Sequence, residues 1–61
     1  MNKETSLFID HVDDYIKSAQ RELAFAREQE AGTSREAAHL EEARLALANA
    51  ITVLERAIPS R

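Results

Sequence analysis

Apolar residues recur along this chain at the spacing of helix faces rather than of strands. Read at about 100° per residue, Phe8, Ile9, Val12, Tyr15, Ile16, Ala19, Leu23 and Ala26 fall on one side of a first segment. Leu40, Ala43, Leu47, Ala50, Ile51, Leu54 and Ile58 do the same in a second. Both segments are rich in Ala, Leu, Glu and Arg, which lose little side-chain entropy in a helix, and poor in β-branched residues. The pattern predicts two amphipathic helices, over about residues 5–31 and 34–58.

The junction reads EQEAGTSREAAH and holds the single glycine. Gly32 is expected to close the first helix by taking the left-handed conformation at its C′ position. Thr33 stands three residues before Glu36, the spacing of a capping box, in which the Thr hydroxyl accepts a backbone N–H and the Glu carboxylate reaches back to the cap's own N–H. A tight turn is therefore predicted at residues 31–33. Pro59 disfavours helical geometry at Ile58 and should stop the second helix there, and Asn2 to Ser6 offer caps for the first. Two helices joined by so short a turn lie antiparallel, so the predicted fold is all-α, a helical hairpin. The alternative is a long continuous coiled-coil helix, since positions 12, 19, 26, 33, 40, 47 and 54 keep one heptad phase through the glycine. That helix would carry Glu30, Thr33 and Arg44 into its seam just where the turn signals stand.

The alanines refine the packing. Ala43, Ala50 and Ala57 recur every seven residues, alternating with Leu40, Leu47 and Leu54, and Ala19 and Ala26 repeat that spacing on the first helix. A small residue at one seam position per heptad removes the bulk that holds helix axes ~8–10 Å apart. Close antiparallel packing is expected, with Leu and Ile knobs filling the alternate layers.

One decapeptide, LALANAITVL at residues 45–54, is uncharged in a chain that is 31% charged. Leu47, Ala50, Ile51 and Leu54 are expected to close the hairpin, leaving Ala46 and Val53 to widen the apolar sector beside His39 and Ala57. A sector that wide suits a helix with two neighbours, and the simplest second neighbour is a copy of the same chain. A homodimeric four-helix bundle follows, its core and dimer interface drawn from Val12, Ala19, Leu23, Ala26, Leu40, Ala43, Ala46, Leu47, Ala50, Ile51, Val53 and Leu54.

Chain length points the same way. Sixty-one residues bury only roughly 60% of the surface the unfolded chain exposes, which leaves a lone domain marginal. With no cysteine and two isolated histidines, disulfides and a thiolate zinc site are excluded and a structural metal is not indicated, so self-association is the supplement left. The net charge of −3, with both signs interspersed, is an ordinary soluble surface without the basic stripe of a nucleic-acid binder. MNKETSLFID lacks the apolar core of a secretory signal, and no uncharged run approaches the ~20 residues that span a bilayer. The protein is read as cytoplasmic, with no membrane partner.

Catalytic chemistry finds no support. One glycine builds no phosphate loop, there is no thiol nucleophile, and the serines have no His–acid pair placed near them. No cofactor is expected. Glu36 and His39 form Glu-x-x-His, the pair that di-iron bundles place on one helix, and are the only candidate metal ligands, weakened by the capping role of Glu36. His39 borders the apolar sector, where its protonation is expected to weaken a dimer at mildly acidic pH. Asp10, Asp13, Asp14, Lys17, Arg21 and Glu28 form a solvated outward face. Leu7 and Phe25 share an azimuth on the polar side of the first helix, and Leu45 lies on that of the second. These three are the candidate surface for a partner protein.

In size and helix layout, the expected dimer resembles the small plasmid copy-number regulators that form antiparallel four-helix bundles and clamp paired RNA loops. The resemblance implies a basic face on the paired first helices, and here that face is mixed to acidic. The reading that results is a non-enzymatic homodimer, a regulator, inhibitor or adaptor that binds another protein, ahead of nucleic-acid binding or a Glu-x-x-His metal bundle.

Overall fold

A computed structural model of the chain describes residues 3–58. It holds two α-helices, α1 (Lys3–Glu28) and α2 (Ser34–Ala57), packed against each other along their length. The hairpin, not the continuous helix, is the fold. Asn2 and Pro59 lie outside the described residues.

The turn forms as its chemistry dictates, with two departures. α1 stops at Glu28, short of residue 31. The Gln29 N–H donates to the Ala26 carbonyl at 3.2 Å, three residues back rather than four, and the Gln29 side-chain amide donates to the Phe25 carbonyl at 3.3 Å. Those bonds satisfy terminal carbonyls without a further helical turn. Gly32 is left-handed, at φ 81°, but it lies in the loop leading into α2 rather than at the end of α1.

Thr33 caps α2 from an extended conformation, its hydroxyl accepting the Glu36 N–H at 3.3 Å. The Glu36 carboxylate accepts from the Gly32 N–H at 2.9 Å instead of from Thr33's own. Thr33's N–H is already directed at the Glu30 carbonyl, 3.4 Å away, and its hydroxyl donates to the same oxygen at 2.8 Å. At the far end Ile58 is extended, with φ −84° and ψ 122°, as a residue before proline should be, and its N–H donates to the Leu54 carbonyl.

The glycine gives a clean test of the turn. A Cβ at Gly32 meets nothing within 4 Å, so the cost of Gly32→Ala is purely that of the left-handed backbone, about 1–2 kcal/mol. Thermal unfolding should show the loss, and Gly32→Asn should recover part of it.

The seam between the helices consists of small residues. Val12, Ala19 and Ala26 of α1 and Ala43 and Ala50 of α2 are buried. Phe8, Tyr15, Glu22, His39, Ala46, Val53 and Ala57 are half-buried around them. A side-chain bond between Glu22 and His39 fixes the register, which sets Ala19 level with Ala43 and Val12 level with Ala50. The alternate layers hold Phe8 with Val53, Tyr15 with Ala46, and Glu22 with His39, where Leu and Ile knobs were expected.

The helices are thus rotated from the sequence expectation. Leu40, Leu47, Ile51, Leu54 and Ile58 do not close the hairpin; they lie to one side of the seam, exposed, as do Ile9, Ile16 and Leu23 on α1. Ala46 and Val53, expected to turn toward a second chain, face α1 instead. Each apolar sector is wider than one neighbour covers, so periodicity leaves its rotation open. The edge carrying alanine every seventh residue is the one that permits close approach, and the hairpin buries that edge.

What this seam buries is small. Among the described residues no large side chain is fully buried, and the core is one valine and four alanines. Burial stabilises by only ~0.8 kcal/mol per methylene, against ~1–2 kcal/mol of backbone entropy for every residue ordered.

Candidate functional site

The rotation of the helices creates one broad apolar face. Ile9, Ile16 and Leu23 recur every seven residues on α1, and Leu40, Leu47 and Leu54 do so on α2. Both rows run along the same side of the seam. At the turn end the two rows meet in a shallow groove lined by Leu23, Ala26, Arg27, Glu36 and Leu40. The register places Ile16 level with Leu47 at the middle and Ile9 level with Leu54 at the open end. Ile51 and Ile58 extend the α2 row outward and are its most exposed members, at 59% and 66%.

α2 therefore carries a second heptad seam of its own: Leu40, Arg44, Leu47, Ile51, Leu54 and Ile58, spaced alternately four and three residues apart. α1 carries half of one. Its corresponding outer positions are Ser6, Asp13, Gln20 and Arg27, all exposed. Within the α2 seam the single charge is Arg44, whose Nε donates to Glu41 at 2.8 Å, while its Nη2 donates to the other oxygen of that carboxylate. This bond holds the Glu41 carboxyl below the usual range and raises Arg44. Arg44's head group is tied outward and its stem is left to cover the seam.

The opposite face of the hairpin is polar. A second groove there is lined by Tyr15, Ser18, Arg21, Glu22, Glu42, Leu45, Ala46 and Asn49. The three residues singled out for a partner lie on this side: Leu7, Phe25 and Leu45 are all exposed. Phe25 is not an isolated ring. It stands 5.4 Å from the His39 ring, tilted by 45°, and His39 Nδ1 lies 2.7 Å from the Glu22 carboxylate. Glu22 lacked any signal in the sequence beyond occupying a seam position, since only the register of the hairpin brings it to His39.

The contacts of Glu36 and His39 are both local to the hairpin. Glu36 bonds the turn backbone and His39 bonds Glu22, so the Glu-x-x-His pair is engaged in two separate structural contacts. Among the described residues no three His, Cys, Asp or Glu side chains gather where they could hold a metal ion. His39 also faces the Glu22 carboxylate of its own hairpin. Asp10, Asp13, Asp14, Lys17, Arg21 and Glu28 are exposed, as a solvated face requires.

Sequence reasoning missed Ile9 and Ile16 as surface residues, although the signal was present. Their spacing with Leu23 duplicates that of Leu40, Leu47 and Leu54. No helix among the described residues is long and apolar enough to cross a membrane. Comparison with protein families, with curated proteins and with solved structures finds no match for this chain.

Proposed function

We propose that the chain is a non-enzymatic homodimer, a four-helix bundle closed through the Ile/Leu face, that acts by binding another protein on the faces left outside. The observation that carries the reading is the inversion of burial: among the described residues eight Ile and Leu side chains lie exposed on one face while the core holds one valine and four alanines. A hairpin so built gains its largest apolar burial only when that face is covered. With the polar rim around them, the eight side chains offer an area on the order of the ~800 Å² per partner of a standard interface. A second copy is the one partner always present at the chain's own concentration, and the face presents itself identically from both sides of a two-fold axis.

Covering that face leaves Leu7, Phe25 and Leu45 on the outside of the bundle, twice over. Leu45 lines the polar groove, and the three supply the apolar anchors that protein interfaces use. The mixed to acidic outer face of α1 disfavours phosphate binding, whose affinity rests on basic side chains.

Sedimentation equilibrium should give twice the chain mass of 6.9 kDa over the micromolar range, for the wild type and for Phe25→Ala alike. Phe25→Ala should then lose a protein that co-purifies with the wild type. A concentration-independent monomer would remove the dimer. A tight complex with structured RNA or duplex DNA in a gel shift at moderate salt would replace protein binding with nucleic-acid binding.

A further inference from the structure

We infer that the two hairpins of the dimer pack with their turns at opposite ends, so that each helix faces its own copy: α2 against α2 and α1 against α1. This inference rests on the dimer proposed above and specifies how its two copies meet.

Two hairpins that join the same face around a two-fold axis have two ways to do so. With the axis along the bundle, the turns share an end and each α2 lies on the other copy's α1. With the axis across the bundle, the turns are at opposite ends and like helices meet. The two arrangements match the inner rows of the face equally well, because both rows carry an Ile or Leu at every seventh position. The outer rows decide between them.

Consider first the turns at one end. The register then sets Ile51 against Asp13 of the second copy, Ile58 against Ser6, Arg44 against Gln20 and Ala37 against Arg27. Every outer position of the apolar α2 seam meets a polar one. The Asp13 carboxylate is brought against the Ile51 side chain, at a cost in desolvation. The two most exposed isoleucines of the chain gain little from association.

With the turns at opposite ends the rows sort themselves. Leu47 meets Leu47 of the second copy at the axis, Leu40 meets Leu54, and Ile58 comes over Ala37, a large side chain on a small one. Ile51 lies along the aliphatic stem of Arg44, whose head group Glu41 already holds. The α2 pair becomes a complete antiparallel heptad seam. On the α1 side Ile16 meets Ile16 and Ile9 meets Leu23, while Ser6 approaches Arg27 and Asp13 approaches Gln20, leaving all the polar outer positions together at a wet rim. Apolar edge on apolar edge and polar edge on polar edge is the arrangement that leaves no carboxylate against isoleucine.

The chain contains no cysteine, so a single spin label can be placed by Ala31→Cys in the exposed turn. The label's mass distribution is checked by sedimentation, and the distance between the two labels of a dimer is then read by pulsed dipolar spectroscopy. Turns at opposite ends should give a distance comparable to the 45 Å length of the hairpin. A dimer with a label separation near the 20 Å width would overturn the arrangement while leaving the dimer standing. A monomeric mass without dipolar coupling would overturn both.

Discussion

Leu47→Glu should dissociate the protein and unfold it, while Leu45→Glu, two residues away, should leave both mass and helicity unchanged. Within one hairpin the two leucines are equally exposed, at 44% each. A monomer would therefore treat the substitutions alike. Only a second copy on the Ile/Leu face distinguishes them, because Leu47 stands at its centre, level with Ile16, and Leu45 lines the polar groove on the other side.

The expected size of the effect follows from burial. Covering a leucine stabilises by about 1.5–3 kcal/mol, and a symmetric dimer loses it twice, with two carboxylates then brought together near the axis. A small domain has a net stability of only about 5–15 kcal/mol, and this one starts from a core of small residues. At low micromolar concentration the sedimentation mass should fall to that of one chain and the helical circular dichroism should largely vanish. Leu45→Glu should stay within about 0.5 kcal/mol of the wild type, as surface substitutions do. Equal behaviour of the two variants would refute the assignment of the face.

Ala19→Leu carries the second large effect. Ala19 and Ala43 are the two most deeply buried of the described residues, at 2% and 3% exposure, and the register sets them at the same level in the middle of the seam. Added methylenes there must push the helices apart or force strained rotamers, at a cost of about 1–3 kcal/mol. For a domain of this size each kcal/mol lowers the melting temperature by about 4–8 °C. Melting has to be compared at equal protein concentration, since the proposed dimer makes it concentration-dependent. Ala48→Leu, on an exposed position of α2, is the matched control. Alanine and leucine both rank high in helix propensity, so the control should change little. If Ala19→Leu melted with the control, the alanines would owe their place to propensity and not to packing.

The turn was legible because its chemistry is local. Gly32, Thr33 and Glu36 act within a few residues of one another, and each takes part in the loop or cap that its type allows. The end of α1 was misplaced because Gln29, with no special conformational preference, closes the helix by side-chain and backbone bonds that take the place of another turn. The face of Leu40, Leu47 and Leu54 was visible as a set of residues and assigned to the wrong neighbour. Glu22 was passed over altogether, because a polar residue in a seam declares itself only when its partner across the hairpin is known.

By itself the sequence determined two helices, their turn, the alanine repeat and the excess of apolar surface over what one hairpin hides. Those properties depend on neighbours three, four and seven residues away, which the chain order fixes. Tertiary structure alone decided which edge of each apolar sector went inside. That choice turns on how closely two helix backbones approach, and alanine allows the approach that leucine blocks, so the small residues took the seam and the large ones were left on the face.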